Sequence, residues 1–566
     1  MKKHVIFGAL LLCLAPAAPA WALGKQVTAQ PSRAEFARLA GQWMKRRYPA
    51  DGPGAVVLVA RGDHILFRAA RGTADMDRKA ALETGSTFRI ASITKQFAAA
   101  GLLQLVEAGK IGLDDPLSRY IPDYPDGHRI TILQLLNHTS GVRSHSSLPP
   151  DPNVPAGRPL TTAGLISVFK NERPDFEPGQ GYAYNNSGYA LVGAVIEAVT
   201  GMPWHAWLDR SLFKPLGMRD TGYAGDPRLA ARLVRGYRWE EDKPVPAPDV
   251  NMTRVHAAGA LLSTADDLLK WNRALHEGRV LGADTYRRMI TPVGKAVQAG
   301  YGFGLFTDRV RTANELHHGG GIEGFITLLS YLPGPDISVI VLENDERDEP
   351  ENGRHDIEIF ARRLAALALG EPYPELRPVE VGEAKLKEAE GVYAFDGGVT
   401  RILRIVDGRL TAQREGRGPR LPLVPIAADD FLYEDSFTRL KLERDPAGRI
   451  VAIRLFPSGD GGGEAGARTA EPLPADPVAL QLPRAALERL AGTYSNGRLS
   501  LKLWLDGAAL KAQLGDQPAF DLRAISPTEF DVGETGATLV FPAGDSSAAQ
   551  VTMRQGKREM VLPRTP

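Results

Sequence analysis

Hydrophobic and polar positions follow helical and strand-like spacings in turn along the first part of the chain. Ser32 opens a capping-box pattern, and the apolar residues of the run behind it fall on one side of a helix. The runs 55–60 and 64–69 predict two strands of a hairpin, joined by a tight Gly-containing turn. Further on, 337–342 predicts a strand and 357–369 predicts a helix. This mixture predicts a layered α/β domain.

The pattern changes after Gly370, where several prolines indicate a linker. The remaining chain consists of short alternating strands and turns and contains an internal repeat. Gly391-Val392-Tyr393 recurs as Gly492-Thr493-Tyr494, and further matches keep this offset of about 100 residues. Two copies of one all-β domain are therefore expected, each a small antiparallel barrel or sandwich. The Gly-, Ala- and Pro-rich stretch 458–477 between them predicts a flexible linker.

The N-terminus has the pattern of a secretory signal peptide over residues 1–22. Two lysines precede an apolar run, and Ala20-Trp21-Ala22 matches a small-x-small cleavage site. The run is about half of the ~20 apolar residues that a spanning helix needs, so a membrane anchor is less favoured. A lipoprotein anchor at Cys13 is favoured less still, because Leu12 is bulky where a small residue is expected. We predict cleavage near Ala22, a periplasmic or secreted protein, and no membrane span after cleavage.

Composition excludes some kinds of site. The 68 Lys and Arg residues against 67 Asp and Glu give a formal net charge of +1, which argues against a nucleic-acid binder. Cys13 is the only cysteine and cleavage would remove it, so the mature chain has no disulfide, cysteine nucleophile or thiolate metal site. We expect neither a metal nor another cofactor. The 566 residues should hold several domains, predicted at 1–22 (signal peptide), 30–372 (main domain), 384–458 and 483–566 (barrel-like domains).

Ser-x-x-Lys is the first candidate for chemistry, and it occurs three times, at Ser92, Ser167 and Ser211. The run after Ser92 is an apolar helix that is too hydrophobic to lie at the surface. The i,i+3 spacing places Ser92 and Lys95 on one face of its first turn. Burial lowers the pKa of an ammonium, so Lys95 can accept the serine proton, and the helix N-terminus offers N–H groups to an oxyanion. In the structural alternative, Ser92 is a helix cap and Lys95 is a surface charge.

Two further motifs add candidates. Tyr184-Asn185-Asn186 combines a phenol that can relay a proton with an amide that can hold a lysine and a substrate carbonyl. The alternative is a polar loop before a helix. His318-Gly319-Gly320-Gly321 precedes an apolar strand, where glycines let a substrate approach the backbone and an N–H completes an oxyanion hole. Its alternatives are a glycine hairpin with incidental histidines and, less favoured, a metal site. The similar Tyr494-Ser495-Asn496 belongs to the repeat and is interpreted as barrel structure.

In order and rough spacing, these motifs resemble those of the serine β-lactamase and penicillin-binding-protein superfamily. The resemblance covers about residues 32–370 and includes four further segments, namely Phe88-Arg89-Ile90-Ala91-Ser92, 135–141, Pro215-Leu216-Gly217-Met218 and 259–264. It implies an α/β (α+β) fold class, with an antiparallel sheet flanked by helices and a helical lobe. With the two small all-β barrel-like domains behind it, this layout is similar to that of bacterial D-aminopeptidases.

The resemblance also implies roles for the motif residues. Ser92 would be acylated, and Lys95 with Tyr184 would transfer its proton. Asn186 would orient the substrate, and His318 and Gly320 would line the substrate site. The backbone N–H groups of Ser92 and Gly321 would form the oxyanion hole. The segment 138–141 would be structural.

One departure from the family pattern affects the substrate. Class C β-lactamases and transpeptidases usually carry Lys-Thr-Gly where this chain has His318-Gly319-Gly320, and histidine there is seen in D-aminopeptidases and esterases of the family. We expect an exported serine hydrolase that acts through an acyl-enzyme on small amides, peptides or esters, with D-amino acid character. Carboxylesterase and β-lactamase activities are the alternatives within this class. A non-catalytic sensor of peptidoglycan or peptides is the alternative outside it.

The signal peptide yields a direct prediction. In the native host, the mature chain should begin near Leu23, because the small-x-small site ends at Ala22. Intact-mass measurement of the protein from that host would check this. A chain that still begins at Met1 would refute it.

Overall fold

The computed structural model describes residues 30–565 apart from a set of short gaps, so the signal peptide predicted at 1–22 lies outside the described residues. The gaps are 149–156, 241–242, 347–356, 374–377, 415–416, 434–435, 458–462, 475–479, 497–498, 508, 515–518, 533–536, 545–546 and 556–557. Between these gaps, none of the helices has both the length and the apolar character that crossing a membrane requires.

The main domain extends from α1 to α12. Its helices are α1 Arg33–Arg47, α2 Thr94–Glu107, α3 Ile132–Leu136, α4 Thr162–Phe169, α5 Asn186–Thr200, α6 Trp204–Leu208, α7 Lys214–Leu216, α8 Pro227–Ala230, α9 Met252–Val255, α10 Ala265–His276, α11 Ala283–Ile290 and α12 Ile357–Leu369. Its strands are β1 Ala55–Arg61, β2 His64–Arg71, β3 Thr73–Asp75, β4 Ala80–Ala81, β5 Phe88–Arg89, β6 Gly222–Tyr223, β7 Tyr237–Glu240, β8 Lys243–Pro246, β9 Leu261–Ser263, β10 Phe306–Val310, β11 Ala313–Ile322, β12 Phe325–Leu332, β13 Ile337–Glu343 and β14 Asp345–Glu346.

A six-stranded antiparallel sheet forms the middle of this domain, in the order β10–β11–β12–β13–β1–β2. Successive residues of β1 point to opposite faces, and both faces are covered, so the strand is apolar from Ala55 to Ala60. Val56 and Leu58 enter one core, whereas Val57 and Val59 enter the other. The predicted N-terminal hairpin is confirmed as β1 and β2, and the later predicted strand and helix as β13 and α12.

Helices α1 and α12 cover one face of the sheet. The Ser32 side chain accepts a hydrogen bond from the Glu35 N–H at 3.2 Å, which confirms the predicted helix start. Phe36 and Met44 of α1 are buried in the same core as Leu364 of α12. The first and last helices of the main domain therefore pack together on the same face of the sheet.

The other face of the sheet carries the helical lobe, whose centre is α2. Most residues of α2 are buried, as its apolar sequence predicts. The ring centroid of Phe97 lies 4.1 Å from that of Trp271 and 5.5 Å from that of Phe213. Because apolar side chains surround α2, the amine of Lys95 in its first turn lies inside the domain.

Two eight-stranded antiparallel units follow, the first a closed barrel and the second nearly closed. This confirms the predicted barrel-like domains. The first contains α13 Glu383–Glu388, β15 Gly391–Phe395, β16 Thr400–Val406, β17 Arg409–Arg414, β18 Arg417–Ala427, β19 Asp430–Tyr433, β20 Arg439–Arg444, β21 Ile450–Phe456 and β22 Glu464–Arg468. The second contains α14 Arg484–Glu488, β23 Gly492–Ser495, β24 Ser500–Asp506, β25 Ala509–Leu514, β26 Phe520–Ala524, β27 Glu529–Asp531, β28 Ala537–Val540, β29 Gln550–Gln555 and β30 Arg558–Pro563.

The two barrels share an interaction that explains the sequence repeat. The hydroxyls of Tyr393 and Tyr494 each donate to the backbone carbonyl four residues upstream, at 2.7 and 2.8 Å. A guanidinium lies over each ring, from Arg468 at 6.0 Å and from Arg564 at 5.7 Å. Tyr494 is therefore barrel structure, as predicted.

The predicted flexible linker at 458–477 needs a correction. It contains β22, the strand that closes the first barrel by pairing with β15 and β21. Gly466 lies opposite Phe395, and a Cβ on Gly466 would come within 2.5 Å of the Phe395 ring. Gly466 is thus a glycine because the strand packs closely against an aromatic ring. The strand lies beyond residue 458, where we predicted the end of this domain.

Candidate active site

Ser92 lies in a single 3-10 turn, Ala91–Ile93, that leads directly into α2. Ala91 has a φ of +44°, which is unfavourable for a residue with a Cβ. Such a conformation persists only when its surroundings hold it in place. Here Ile93 donates to the Ile90 carbonyl at 3.2 Å, and the Thr327 hydroxyl donates to the same carbonyl at 3.1 Å. The turn that carries Ser92 is therefore held from both sides.

Lys95 lies fully buried on the first turn of α2. Its Nζ lies 3.0 Å from Ser92 Oγ, as the i,i+3 spacing predicts. Nζ also donates to Asn186 Oδ1 and to the Ala258 carbonyl, both at 2.9 Å. Three oxygens from three separate segments thus surround one amine.

The environment of Lys95 favours the neutral amine. No carboxylate of the described residues lies within ion-pair distance, and the nearest rings are Tyr184 at 4.7 Å and Tyr189 at 5.6 Å. Burial lowers the pKa of Lys95 well below its ordinary value. A neutral amine has two N–H donors and one lone pair. Asn186 and Ala258 can take the two donors, which leaves the lone pair for the proton of Ser92.

Tyr184 and Asn186 lie at the start of α5. Asn185 caps this helix by accepting from the Gly188 N–H at 2.8 Å, so the residues on either side of it have fixed directions. Asn186 Nδ2 donates to Ser146 Oγ at 3.2 Å, which orients its Oδ1 towards Lys95. The Tyr184 ring is partly exposed, whereas its hydroxyl faces the Ser92 side chain, and desolvation of that hydroxyl raises the pKa of this phenol.

The third motif lies on β11. Strand β10 pairs with β11 from residue 313 to 317, and the following part of β11 packs against the Ser92 turn. A Cβ on Gly320 would come within 2.4 Å of the Ile90 carbonyl oxygen and 2.5 Å of Thr327 Oγ1. Gly320 therefore accommodates the protein's own turn, and its place beside the substrate stays a prediction. Gly321 is exposed, and a Cβ there would have ordinary contacts.

His318 is buried on the same face of the sheet as Gly320. Its Nδ1 lies 2.5 Å from the Gly319 carbonyl, and its Nε2 lies 3.3 Å from the Tyr301 hydroxyl. A carbonyl can only accept, so this network assigns the proton to Nδ1 and leaves Nε2 as the acceptor. Burial lowers the pKa of His318 to about 3. The imidazole is therefore neutral at ordinary pH. The sequence of the third motif did not show whether His318 is charged or neutral.

The model of the Beta-lactamase family matches residues 43–363. The chain belongs to the beta-lactamase family. Penicillin-binding protein 4* of Bacillus subtilis is 27% identical over 66% of this chain and 86% of that protein. Esterase EstB of Burkholderia gladioli is 30% identical over 51% of this chain and 86% of that protein.

A solved structure is also similar to the main part of this chain. The D-amino acid amidase of Ochrobactrum anthropi SV3 is 25% identical, with a TM-score of 0.52 over 59% of this chain and 98% of that chain. These likenesses confirm the predicted superfamily and identify the chain as a serine hydrolase of the beta-lactamase family. They place this chain among enzymes rather than with the non-catalytic alternative.

The other two Ser-x-x-Lys sequences lack the geometry of the beta-lactamase family site. Lys170 pairs with Asp123 at 2.8 Å and Lys214 pairs with Asp209 at 2.6 Å, each near the surface. The Ser167 hydroxyl donates to a backbone carbonyl of its own helix. Each of these lysines is held by a carboxylate near the surface, whereas the Lys95 amine is buried beside Ser92.

The sequence left open a metal site at His317 and His318. These two residues are consecutive in β11, so their side chains point to opposite faces of the sheet. Among the described residues, Asp308, Glu315 and His317 have side-chain atoms within 4.8 Å of one another. The Arg362 guanidinium pairs with both carboxylates, with Nε 3.0 Å from Glu315 Oε2. A bound cation would compete with this arginine, so the group acts as an ion-pair cluster against α12.

Sequence reasoning missed several contributors to the site. His138, predicted to be only structural, accepts from the Asn185 N–H at 3.1 Å, and its ring centroid lies 4.5 Å from that of Tyr184. The Ala258 carbonyl and the Ser146 hydroxyl also act directly on the motif residues. A backbone carbonyl has no side-chain signal, and only the tertiary structure shows that His138 contacts Asn185 and Tyr184.

The contact between Gly320 and the Ser92 turn can be tested by a matched pair of variants. Gly320→Ala should destabilise the main domain by about 1–3 kcal/mol, because the new methyl group overlaps the Ile90 carbonyl. Gly321→Ala should keep the wild-type stability, because its Cβ has room. Thermal unfolding of both purified variants would check this. Equal melting temperatures would contradict the assignment.

Proposed function

We propose that this chain is an exported serine hydrolase that forms an acyl-enzyme at Ser92 from small amide, peptide or ester substrates. The observation that supports this most directly is the buried Lys95 amine, 3.0 Å from Ser92 Oγ and without a carboxylate partner among the described residues. Export rests on the signal-peptide pattern ending at Ala22.

In this proposal, Ser92 Oγ attacks the substrate carbonyl carbon while its proton passes to Lys95 Nζ. The backbone N–H groups of Ser92 and Gly321 stabilise the resulting oxyanion. The proton then reaches the leaving amine or alkoxide through the Tyr184 hydroxyl, and the scissile C–N or C–O bond breaks. Water then attacks the acyl carbon and passes its proton to Lys95. The bond between the acyl carbon and Ser92 Oγ breaks, Lys95 returns the proton to Oγ, and the acid is released.

The neutral His318 supports substrates that lack a carboxylate beside the scissile bond. A lysine at this place would remain charged up to about pH 10 and attract such a carboxylate. The imidazole carries no charge there, and its protonated nitrogen donates to the protein's own backbone. Together with the likeness to a D-amino acid amidase, this favours D-amino acid amides or uncharged esters over β-lactams.

The nucleophile can be tested by labelling. Ser92→Ala should abolish labelling by a fluorescent phosphonate, because loss of a nucleophile typically removes several orders of magnitude of rate. Ser167→Ala is the matched control and should be labelled like the wild type, since its lysine is paired with Asp123. Gel fluorescence and peptide mass mapping would identify the labelled residue. Labelling that persists in Ser92→Ala would disprove the assignment.

The substrate class can be tested with nitrocefin, p-nitrophenyl butyrate and the p-nitroanilides of D- and L-alanine. The uncharged ester or the D-anilide should be turned over best and nitrocefin poorly. Because the pKa of His318 is lowered to about 3, no loss of nitrocefin binding should occur as pH rises from about 5 to 8. Efficient cleavage of several β-lactams, unaffected by His318→Ala, would show that the chain is a β-lactamase.

A further inference from the structure

Two oxygens from distant segments take the two N–H groups of the Lys95 amine. Asn186 Oδ1 lies at the start of α5, and the Ala258 carbonyl lies in the segment that follows α9. The lone pair of Lys95 faces Ser92 only while both oxygens keep their places. The geometry of the base therefore depends on whatever connects these two segments.

His145 makes this connection. Its backbone N–H and its Nδ1 lie 2.8 and 3.0 Å from the hydroxyl of Ser187, the neighbour of Asn186. Its Nε2 lies 3.0 Å from the Arg254 carbonyl, at the end of α9. The imidazole also stacks on Phe169, with ring centroids 5.8 Å apart.

The hydrogen-bond roles around His145 are mutually consistent. The Arg254 carbonyl can only accept, so the imidazole carries its proton on Nε2. Nδ1 then accepts from the Ser187 hydroxyl, whose oxygen accepts from the His145 N–H. Burial lowers the pKa of His145 to about 4, so this arrangement persists above that pH.

The segment 254–258, which His145 contacts through the Arg254 carbonyl, contains a residue with an unfavourable backbone conformation. His256, between Arg254 and Ala258, has a φ of +52°, which is unfavourable for a residue with a Cβ. Its Nε2 lies 3.1 Å from the Thr162 hydroxyl. Two histidines thus hold the turn that presents the Ala258 carbonyl to Lys95.

We propose that His145 is a positioning residue that closes a ring of hydrogen-bonded contacts around Lys95, through Ser187 and Asn186 on one side and Arg254 and Ala258 on the other. This inference rests on the proposed function, in which Lys95 is the base for Ser92. His145 itself touches neither Ser92 nor Lys95 by a described hydrogen bond.

Opening this ring should change the titration of Lys95. A looser shell admits water to the amine, and the pKa of Lys95 then rises towards its ordinary value because desolvation is what lowers it. Acylation needs the neutral amine, so the acid limb of the rate should move to higher pH. Among the described residues, the titratable groups near Lys95 are Tyr184, Tyr189, His138, His318 and His145 itself.

Two variants open the ring at different links. His145→Phe keeps the stacking on Phe169 and removes both imidazole nitrogens. Ser187→Ala removes the hydroxyl beside Asn186 and favours the helix. His145→Gln retains an amide that can donate to the Arg254 carbonyl and should restore part of the rate. His276→Phe is the control. His276 is also half-buried, stacked on a tyrosine at 4.0 Å and hydrogen-bonded to a hydroxyl, but it lies outside the ring.

The measurement is the rate of Ser92 labelling by an uncharged phosphonate between pH 5 and 10, with the melting temperature of each variant. At pH 7, His145→Phe and Ser187→Ala should label about 10- to 100-fold more slowly, with the acid limb at higher pH and recovery at alkaline pH. His276→Phe should lose stability but keep the wild-type pH profile. This separates a positioning role from general destabilisation.

Wild-type labelling at Ser92, with an unchanged acid limb in both ring variants, would overturn this inference and leave the proposed function intact. If His145→Phe does not fold, Ser187→Ala decides between these outcomes. A wild-type protein that is not labelled at Ser92 would overturn the proposed function itself, and the inference with it.

Discussion

The burial of the Lys95 amine, with no carboxylate of the described residues in ion-pair contact with it, is the constraint that organises the main domain. A buried ammonium is unfavourable, so the group is accommodated as a neutral amine whose N–H groups find oxygen acceptors. The apolar helix α2 excludes water from it, and Asn186 and Ala258 supply the acceptors. These hydrogen bonds stabilise the buried amine and leave its lone pair directed at Ser92. The same contacts therefore serve both the stability of the domain and the proposed proton transfer.

Close packing brings the remaining groups to this amine. Gly320 allows β11 to approach the Ser92 turn, and the strained Ala91 is held there by the bond from Thr327 to Ile90. The aromatic rings of Tyr184 and its neighbours enclose the amine further. In such a site, one added methyl group or one missing hydrogen bond changes the geometry of the base, because the packed interior has no free space to absorb the change.

The barrels show how a repeat preserves a structural interaction. Tyr393 and Tyr494 form the same hydrogen bond under an arginine in each copy, although the residues around them differ. Each tyrosine joins the short helix in front of its barrel to the first strand. The sequence repeat therefore includes the tyrosines, Tyr393 and Tyr494, that make this hydrogen bond in each barrel.

The sequence by itself determined the local features: the N-cap at Ser32, the hairpin, the repeat, and the three motifs that carry Ser92, Tyr184 and His318. These depend on residue type and spacing, which periodicity and short motifs record directly. Only the tertiary structure decided why Gly320 is a glycine, that His318 is neutral, and that the Ala258 carbonyl and His145 take part. The physical reason is that backbone carbonyls have no side-chain signature, and pKa values and clashes arise from burial among residues far apart in the chain.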